Sequence, residues 1–554
     1  VLGRMAAEGF ITEQEATDAK NTELDIHPRR NWYLEKVPVY TEDIRRYVEK
    51  KYGKDALYTQ GLKIYAAVDV EMQKAARFQI QKGLKEIDRR QGYRGPLEHL
   101  EADAIETFSL ELEKGQTAQP LEPGATSKGV VIDVDDKANQ VTVRMGSQRG
   151  VIKLKEMRWA RKPDPDVYAY QARVRHPGQV LAVGDVIQVQ IKEKDPKSDN
   201  WLLDLDQVPE VQAALVCIEA GTGMVKVMVG GRDFTQSQFN RALQSRRQPG
   251  SAFKPVIYAA ALDKGYTPAT VIIDSPIVFK DEEHDFTWKP KNYGKKFYGP
   301  TLLRDALAKS RNVVTIKILQ DIGIDYVIDY ARKLGIESPL HRDLSIALGS
   351  SGVSLLEIVQ AYSVFANRGE LIQPAFITKI EDRFGNILEE MSPARKKVVE
   401  ESTAYIMTSL LEGVVKFGTA RRIRALNRQV AGKTGTTNNL YDAWFVGYTP
   451  RYVTGVWVGY DQERSLGAGE TGSRAASPIW LGFMQDILKN EPVRVFQVPE
   501  GVVFAQIDAE TGKLPIPESK KTIFECFKEG TVPKDYTPKP GTITEPEQFF
   551  KQNM

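Results

Sequence analysis

The sequence predicts a multidomain protein in which an α+β domain follows a small all-β domain. Three observations carry that expectation: the length, a set of short alternating strands in the first half, and strands at both ends of a long helical stretch in the second. At 554 residues the chain exceeds what one hydrophobic core organises, so two or three domains are expected. Hydrophobic residues make up 42% and charged residues 27%, the balance of a folded, water-soluble chain. A formal charge of +3 is small for this length, and nucleic acid is not expected as a partner. The two cysteines form no CxxC pair and the five histidines do not cluster, so neither a metal nor a disulfide framework is expected. No apolar run approaches the roughly 20 residues that cross a bilayer.

Residues 1–30 open with Val-Leu-Gly-Arg-Met-Ala-Ala-Glu-Gly-Phe, helical in pattern but too short to bury a core of their own. Residues 31–92 read as a connector, with a strand, an Asp cap and an amphipathic helix within 61–85. Across 93–210 the texture changes to Gly-Val-Val-Ile-Asp-Val, Gln-Val-Thr-Val-Arg-Met, Gly-Val-Ile-Lys-Leu and Val-Gly-Asp-Val-Ile-Gln-Val-Gln-Ile. Regularly spaced half-buried strands with Gly and Asp turns suggest a small β-barrel, and Gly184-Asp185 entering the last run is similar to the OB-fold pattern. Arg144, Arg149, Trp159 and Arg161 can be drawn as a basic, aromatic platform for a nucleic acid, but an interaction module with an ordinary charged surface is the favoured reading.

From 211 to 494 the pattern is that of one α+β domain. Two apolar strands flank the turn Gly221-Thr222-Gly223, helices fill most of 251–415, and strands return at 429–460, so the terminal strands are expected to share a sheet. Cys217, in Ala-Ala-Leu-Val-Cys-Ile, reads as a buried thiol, and Cys526, in Phe-Glu-Cys-Phe, as structural or unpaired. Residues 495–554 form a C-terminal extension, expected to be disordered beyond Thr537.

Within the α+β domain, Gln-Pro-Gly-Ser-Ala-Phe-Lys-Pro (248–255) precedes an apolar helical run. Pro255 cannot lie deep in a helix, so the helix must start close to Ser251, beside free backbone N–H groups and the positive end of the dipole. At i and i+3, Ser251 and Lys254 share a face, and a lysine made neutral by burial can take a serine's proton. The pair alone is weak, since average composition gives about two Ser-x-x-Lys matches by chance in a chain of this size. Two further elements accompany it: Ser310-x-Asn312, which alone reads as a helix cap, and Lys433-Thr434-Gly435 inside Val-Ala-Gly-Lys-Thr-Gly-Thr-Thr. A phosphate-binding loop fails on spacing, because Asn427 stands where its first glycine is required.

Ser-x-x-Lys, Ser-x-Asn and Lys-Thr-Gly, in that order, resemble the penicillin-recognising serine acyltransferases. Arg-Arg-Gln-Pro-Gly-Ser-Ala-Phe-Lys-Pro, Trp288-Lys-Pro-Lys-Asn-Tyr293, Ala347-Leu-Gly, Ala361-Tyr-Ser-Val-Phe-Ala-Asn-Arg-Gly369 and Gly418-Thr-Ala420 narrow the resemblance to the class A penicillin-binding proteins of the 1A type. It covers nearly the whole chain, with residues 1–30 similar to the tail of that family's glycosyltransferase domain.

The resemblance implies a penicillin-binding, serine β-lactamase-like α+β domain beside an OB-like barrel, and a D,D-transpeptidase that cross-links peptidoglycan stem peptides. By motif position Ser251 is the nucleophile, Lys254 the base, and Ser310 a proton relay held by Lys433. Asn312 holds the substrate amide, Thr434, Gly435 and Thr436 border the terminal carboxylate, and the backbone N–H groups of Ser251 and Thr436 form the oxyanion hole. The implied partners are a D-Ala-D-Ala donor, an amine acceptor, β-lactams, a protein regulator at the barrel and, through an N-terminal anchor outside this sequence, the membrane. No cofactor is implied. The implied location is the extracytoplasmic face of the inner membrane. Glycan polymerisation is not expected, since the glycosyltransferase's acidic motifs are absent from this sequence. A β-lactam-hydrolysing enzyme or D,D-carboxypeptidase, and a non-catalytic receptor or scaffold, remain as alternatives.

Overall fold

The computed structural model describes residues 1–22, 36–116, 121–281, 286–392 and 394–539. Two short helices, Leu2–Ala7 and Glu13–Asn21, open the chain, the second started by a reciprocal cap between Thr12 and Glu15. Residues 23–30 of the opening stretch, and the tail from 540, lie outside the described residues.

The segment read as a connector is no free tether. After the strand Lys63–Ala66, the Asp69 carboxylate accepts from the backbone N–H groups of Glu71 and Met72 and starts the helix Val70–Gln91. Its apolar stripe, Met72, Ala76, Ile80, Leu84 and Ile87, is buried in the same core as the α+β domain. Gln73 completes the docking: Nε2 donates to Met228 O at 2.8 Å while Oε1 accepts from Met228 N at 3.0 Å. Tyr40 Oη likewise donates to Val225 O at 2.7 Å.

Five strands close the barrel: Thr126–Asp135, Gln140–Met145, Gln148–Lys153, Asp185–Lys194 and Trp201–Asp206. Successive neighbours pair antiparallel except Gln148–Lys153 with Trp201–Asp206, which run parallel, and the last strand returns to Asp185–Lys194 to complete the circuit. Burial alternates as the sequence pattern requires, with Val141, Val143 and Met145 inside and Gln140, Thr142 and Arg144 turned outward. The closing strand, Trp-Leu-Leu-Asp-Leu-Asp, is one the sequence reading did not single out.

Three of the four residues drawn as a nucleic-acid platform, Arg144, Trp159 and Arg161, have other engagements. Arg144 pairs with Glu106, and the nearly buried Arg161 donates to the carbonyls of Arg90, Lys162, Asp164 and Val167. Trp159 meets Tyr93 edge-on at 5.9 Å and Arg89 at 5.3 Å. Arg161 and Trp159 thus fasten the barrel to the end of the Val70–Gln91 helix.

The α+β domain is built on one antiparallel sheet in the order Ala431–Thr436, Asp442–Tyr448, Tyr452–Gly459, Gln212–Glu219, Val225–Val229. Its two ends in sequence do share the sheet. The helices Leu355–Ala366 and Glu401–Lys416 cover one face: Leu355 and Val359 pack over Gly455, and Thr408 bonds Tyr448 Oη at 2.9 Å. Ala476–Leu488 covers the other, where Trp480 Nε1 donates to Thr454 O at 2.9 Å and its ring meets Phe445 at 5.1 Å. The helix Lys254–Asp263 is buried along Lys254–Ala261. Phe253, Phe445 and Phe483 are enclosed in this core, each worth roughly 1.5–3 kcal/mol of burial. A last hairpin, Val502–Asp508 with Thr522–Lys528, packs on the Glu401–Lys416 helix, and Glu525 pairs with Arg304 at 2.7 Å.

Candidate active site

Ser251 lies in a 3-10 turn, Gly250–Phe253, and the α-helix proper begins at Lys254 with Pro255 in its first turn. The turn fits where it does because three backbones meet without side chains between them. Gly250 has φ +54°, and a Cβ there would lie 2.6 Å from Thr436 O; one on Gly349 would lie 2.1 Å from Gly250 O, and one on Gly435 2.3 Å from Pro249 O. The serine turn is thereby pressed against the edge strand Ala431–Thr436. Tyr362 Oη donates to Ala252 O at 2.7 Å and fixes the turn from below. Ser251 is half-buried, and its hydroxyl makes no hydrogen bond among the described residues.

One turn further on, Lys254 is fully buried. Its Nζ donates to Ser310 O at 2.9 Å, Asn312 Oδ1 at 2.8 Å and Arg311 O at 3.2 Å, and stands 3.4 Å from Ser310 Oγ. Three oxygens are the shell an ammonium needs. Burial, then the charges of Lys433 and Arg311, push this amine's pKa well below the lysine range. The lowered pKa favours the neutral amine that a base requires, and the three oxygens are placed to hold the ammonium formed when it takes a proton.

Ser310 is held in the left-handed region at φ +57°, a conformation non-glycine residues take at a cost, so its surroundings impose it. Lys433, also fully buried, donates to Ser310 Oγ at 2.9 Å and to Thr434 O at 3.0 Å, and burial pushes its pKa down to about 7. Thr434 Oγ1 and Thr419 Oγ1 share a hydrogen bond of 2.7 Å, and Thr436 Oγ1 accepts from Gly472 N at 3.0 Å. The Thr436 backbone N lies 3.1 Å from the point a Gly250 Cβ would occupy, which sets it beside the Ser251 turn.

The structure thus brings Ser251, Lys254, Ser310, Asn312, Lys433, Thr434, Gly435 and Thr436 to one place, on the serine turn, the Ser310–Asn312 segment and the edge strand. Sequence reasoning did not single out Asn292, Asp274, Gly349, Tyr362, Thr419 or Gly472. Asn292, Gly349, Tyr362 and Thr419 lie inside stretches already noted for their resemblance, whereas Asp274 and Gly472 lie in none of them. No group of His, Cys, Asp and Glu suited to a metal occurs among the described residues. No helix among them is long and apolar enough to cross a membrane.

Comparison with known proteins adds an independent line. Residues 213–485 match the penicillin binding protein transpeptidase domain, 93–211 the penicillin-binding protein OB-like domain, and 498–541 the penicillin-binding protein 1A C-terminal domain. Penicillin-binding protein 1A of Pseudomonas aeruginosa is 36% identical over 585 residues, an alignment that takes in 96% of this chain and 70% of that protein. The Neisseria gonorrhoeae protein of the same name is 38% identical over 516 residues, covering 91% of this chain and 62% of the relative. The crystal structure of penicillin-binding protein 1A from Haemophilus influenzae superposes with a TM-score of 0.78 at 28% identity, over 97% of this chain and 82% of that one. PonA1 from Mycobacterium tuberculosis, in complex with penicillin V, shares the fold at a TM-score of 0.55 and 21% identity, over 84% of this chain and 96% of that one. With the three motifs gathered in one place, an OB-like barrel ahead of them and this likeness along nearly its whole length, the chain belongs to the penicillin-binding protein 1A family and carries its penicillin-binding transpeptidase domain.

Proposed function

We propose that the chain cross-links peptidoglycan by serine acyl transfer, with Ser251 as the nucleophile. The observation that carries the reading is the convergence of two buried lysines on one hydroxyl, Ser310 Oγ, directly behind the Ser251 turn. Ser251 Oγ gives its proton to Lys254 Nζ and attacks the carbonyl between the two terminal D-alanines of a stem peptide. The developing oxyanion is received by the Ser251 and Thr436 N–H groups, where one such donor is typically worth ~10²–10³ in rate. As the C–N bond breaks, the leaving D-alanine takes a proton through Ser310, whose hydroxyl Lys433 orients. An acceptor amine then attacks the ester, loses its proton along the same path, and releases Ser251. Asn312 holds the substrate amide, and Thr434, Gly435 and Thr436 border its carboxylate.

β-Lactams would acylate the same serine, since their strained amide presents the same carbonyl. We further propose that residues 93–210 form a module for a protein regulator and that the active site works on the extracytoplasmic side, in the periplasm. Glycan polymerisation is not assigned to this chain, nor is a metal or cofactor. The division proposed is 1–30, 31–92, 93–210, 211–494 and 495–554, with 36–92 acting as part of the transpeptidase body.

Intact-mass analysis over time after addition of benzylpenicillin, repeated on Ser251→Ala, tests the proposal. A lasting single adduct on the wild type and none on the variant is expected. Rapid loss of the adduct with drug turnover would favour a β-lactam hydrolase, and no adduct on the folded wild type would favour the scaffold.

A further inference from the structure

The helix Asn312–Ile322 starts without a cap of its own, because the Arg311 side chain makes no capping bond. Its first two N–H groups are satisfied from elsewhere in the fold: Asn312 N and Val313 N donate to Asn292 Oδ1 at 2.8 and 3.3 Å. Asn292 is only 4% exposed. Which way its amide faces is fixed by three oxygens on its other side, since Nδ2 donates to both carboxylate oxygens of Asp274, at 2.9 and 2.8 Å, and to Lys296 O at 2.9 Å. Turning the amide over would set Oδ1 against those oxygens and Nδ2 against the two N–H groups. Asp274 is itself buried, at 1% exposure, so it is a fixed reference point.

The residues this cap holds are those that surround the base. Lys254 Nζ finds its oxygens on Ser310, Arg311 and Asn312, the three residues at the helix start. Ser310 adopts its strained left-handed conformation immediately before the capped turn. Asn312 is tied a second time to the same loop, through Nδ2 to Lys291 O at 3.1 Å. We propose that Asn292, oriented by Asp274, is a positioning residue for acylation: it fixes the Ser310–Asn312 segment, and through that segment the Lys254 amine, relative to Ser251. The inference rests on the acyl-transfer reading given above.

Acylation by benzylpenicillin resolved into a non-covalent Kd and a first-order acylation rate, with a melting curve for each variant, tests this on the full chain. Asn292→Ala is expected to slow the acylation step by about 10²-fold, the scale of a 1 Å misplacement, while Kd changes less than about threefold. Asn292→Asp leaves an acceptor for the helix but sets two carboxylates face to face, and Asp274→Asn removes the group that orients the amide; each is expected to slow acylation. In Asp274→Asn/Asn292→Asp the amide and the carboxylate exchange places, two N–H groups again meet an oxygen, and the carboxylate sits at a helix N-terminus. The exchange is expected to be at least tenfold faster than either single variant.

That rescue separates positioning from mere stability, and it decides the matter if Asn292→Ala fails to fold. An Asn292→Ala protein acylated as fast as the wild type, or an exchange variant no faster than the slower single, would overturn the assignment while leaving acyl transfer intact. A folded wild type that takes no adduct would overturn the acyl-transfer reading, and this assignment with it.

Discussion

Lys254 and Lys433 approach the same oxygen from two sides, their Nζ atoms 3.4 and 2.9 Å from Ser310 Oγ, and both side chains are fully buried. Two amines within reach of one hydroxyl cannot both keep a full charge without cost. The trio thus has the arrangement that the proposed proton path requires.

The first prediction concerns pH. Burial lowers the folded Lys433 amine to about 7, and an unfolded lysine titrates near ~10.4. Between those values the unfolded chain holds a proton that the folded chain has lost, so this site's contribution to stability rises with pH across the window. Below about 7 both states are protonated and the buried ammonium carries its whole penalty. Lys433→Met should therefore stabilise the protein more at pH 6 than at pH 9. Urea unfolding at the two pH values checks it, and a gain that is equal or larger at pH 9 would contradict a lowered, buried amine.

Thr436 is expected to act on binding more than on chemistry. Thr436→Val removes the hydroxyl proposed to border the substrate carboxylate, along with the acceptor for the Gly472 N–H, and a hydrogen bond to a charged group is worth about 1.5–3 kcal/mol. The non-covalent Kd for benzylpenicillin should rise about tenfold or more, Thr436→Ser should stay near the wild type, and stopped-flow acylation across drug concentrations separates the two constants.

Gly349 has φ +68° and no room for a methyl group, since a Cβ would lie 2.1 Å from Gly250 O. Gly349→Ala should destabilise the fold by more than ~1 kcal/mol and displace the serine turn. A melting temperature equal to the wild type's together with undiminished acylation would show that the three backbones are less closely joined than described.

Arg90, at the end of the helix that carries the barrel, grips Glu470 with two bonds of 2.7 and 2.8 Å, and Arg474 approaches the same carboxylate at 3.3 Å. Glu470 retains only 4% side-chain exposure. Arg90→Met should cost about 3–5 kcal/mol by leaving the carboxylate short of a partner, and Arg90→Met/Glu470→Leu should cost less. Chemical denaturation of the three proteins gives the comparison.

Both thiols are buried, and burial pushes each up to about 12. At pH 8 almost no thiolate exists in the native state, so a disulfide-exchange reagent should label neither Cys217 nor Cys526 until the chain unfolds. Labelling of the native protein within minutes would show that one of them reaches solvent.

How much of this was legible in the sequence depends on the range of the physics involved. Alternation marked four barrel strands because one-sided burial imposes a period of two, but Trp201–Asp206 has Asp204 and Asp206 buried along with its leucines, and that blurs the period. Pro255 and Gly250 located the serine turn, since both act through local backbone geometry. The contacts that hold the site are different: Asn292 to Asn312, Tyr362 to Ala252, Thr419 to Thr434 and Gly472 to Thr436 join residues distant in sequence. No local pattern encodes such a pairing. Three of those partners were visible only as parts of stretches resembling a family, and Gly472 not even so.

The shared sheet also sets an order of events. The strand Ala431–Thr436 leaves the ribosome roughly 180 residues after Ser251, and at ~5–20 residues per second that is a delay of about 10–40 s. Through that interval the serine turn has no wall on its strand side, Lys254 has no partner amine, and the apolar hairpin at 212–229 has no neighbouring strand to cover its edge. An incomplete chain is thus expected to be unreactive, and its hairpin edge uncovered, until the Tyr452–Gly459 strand docks.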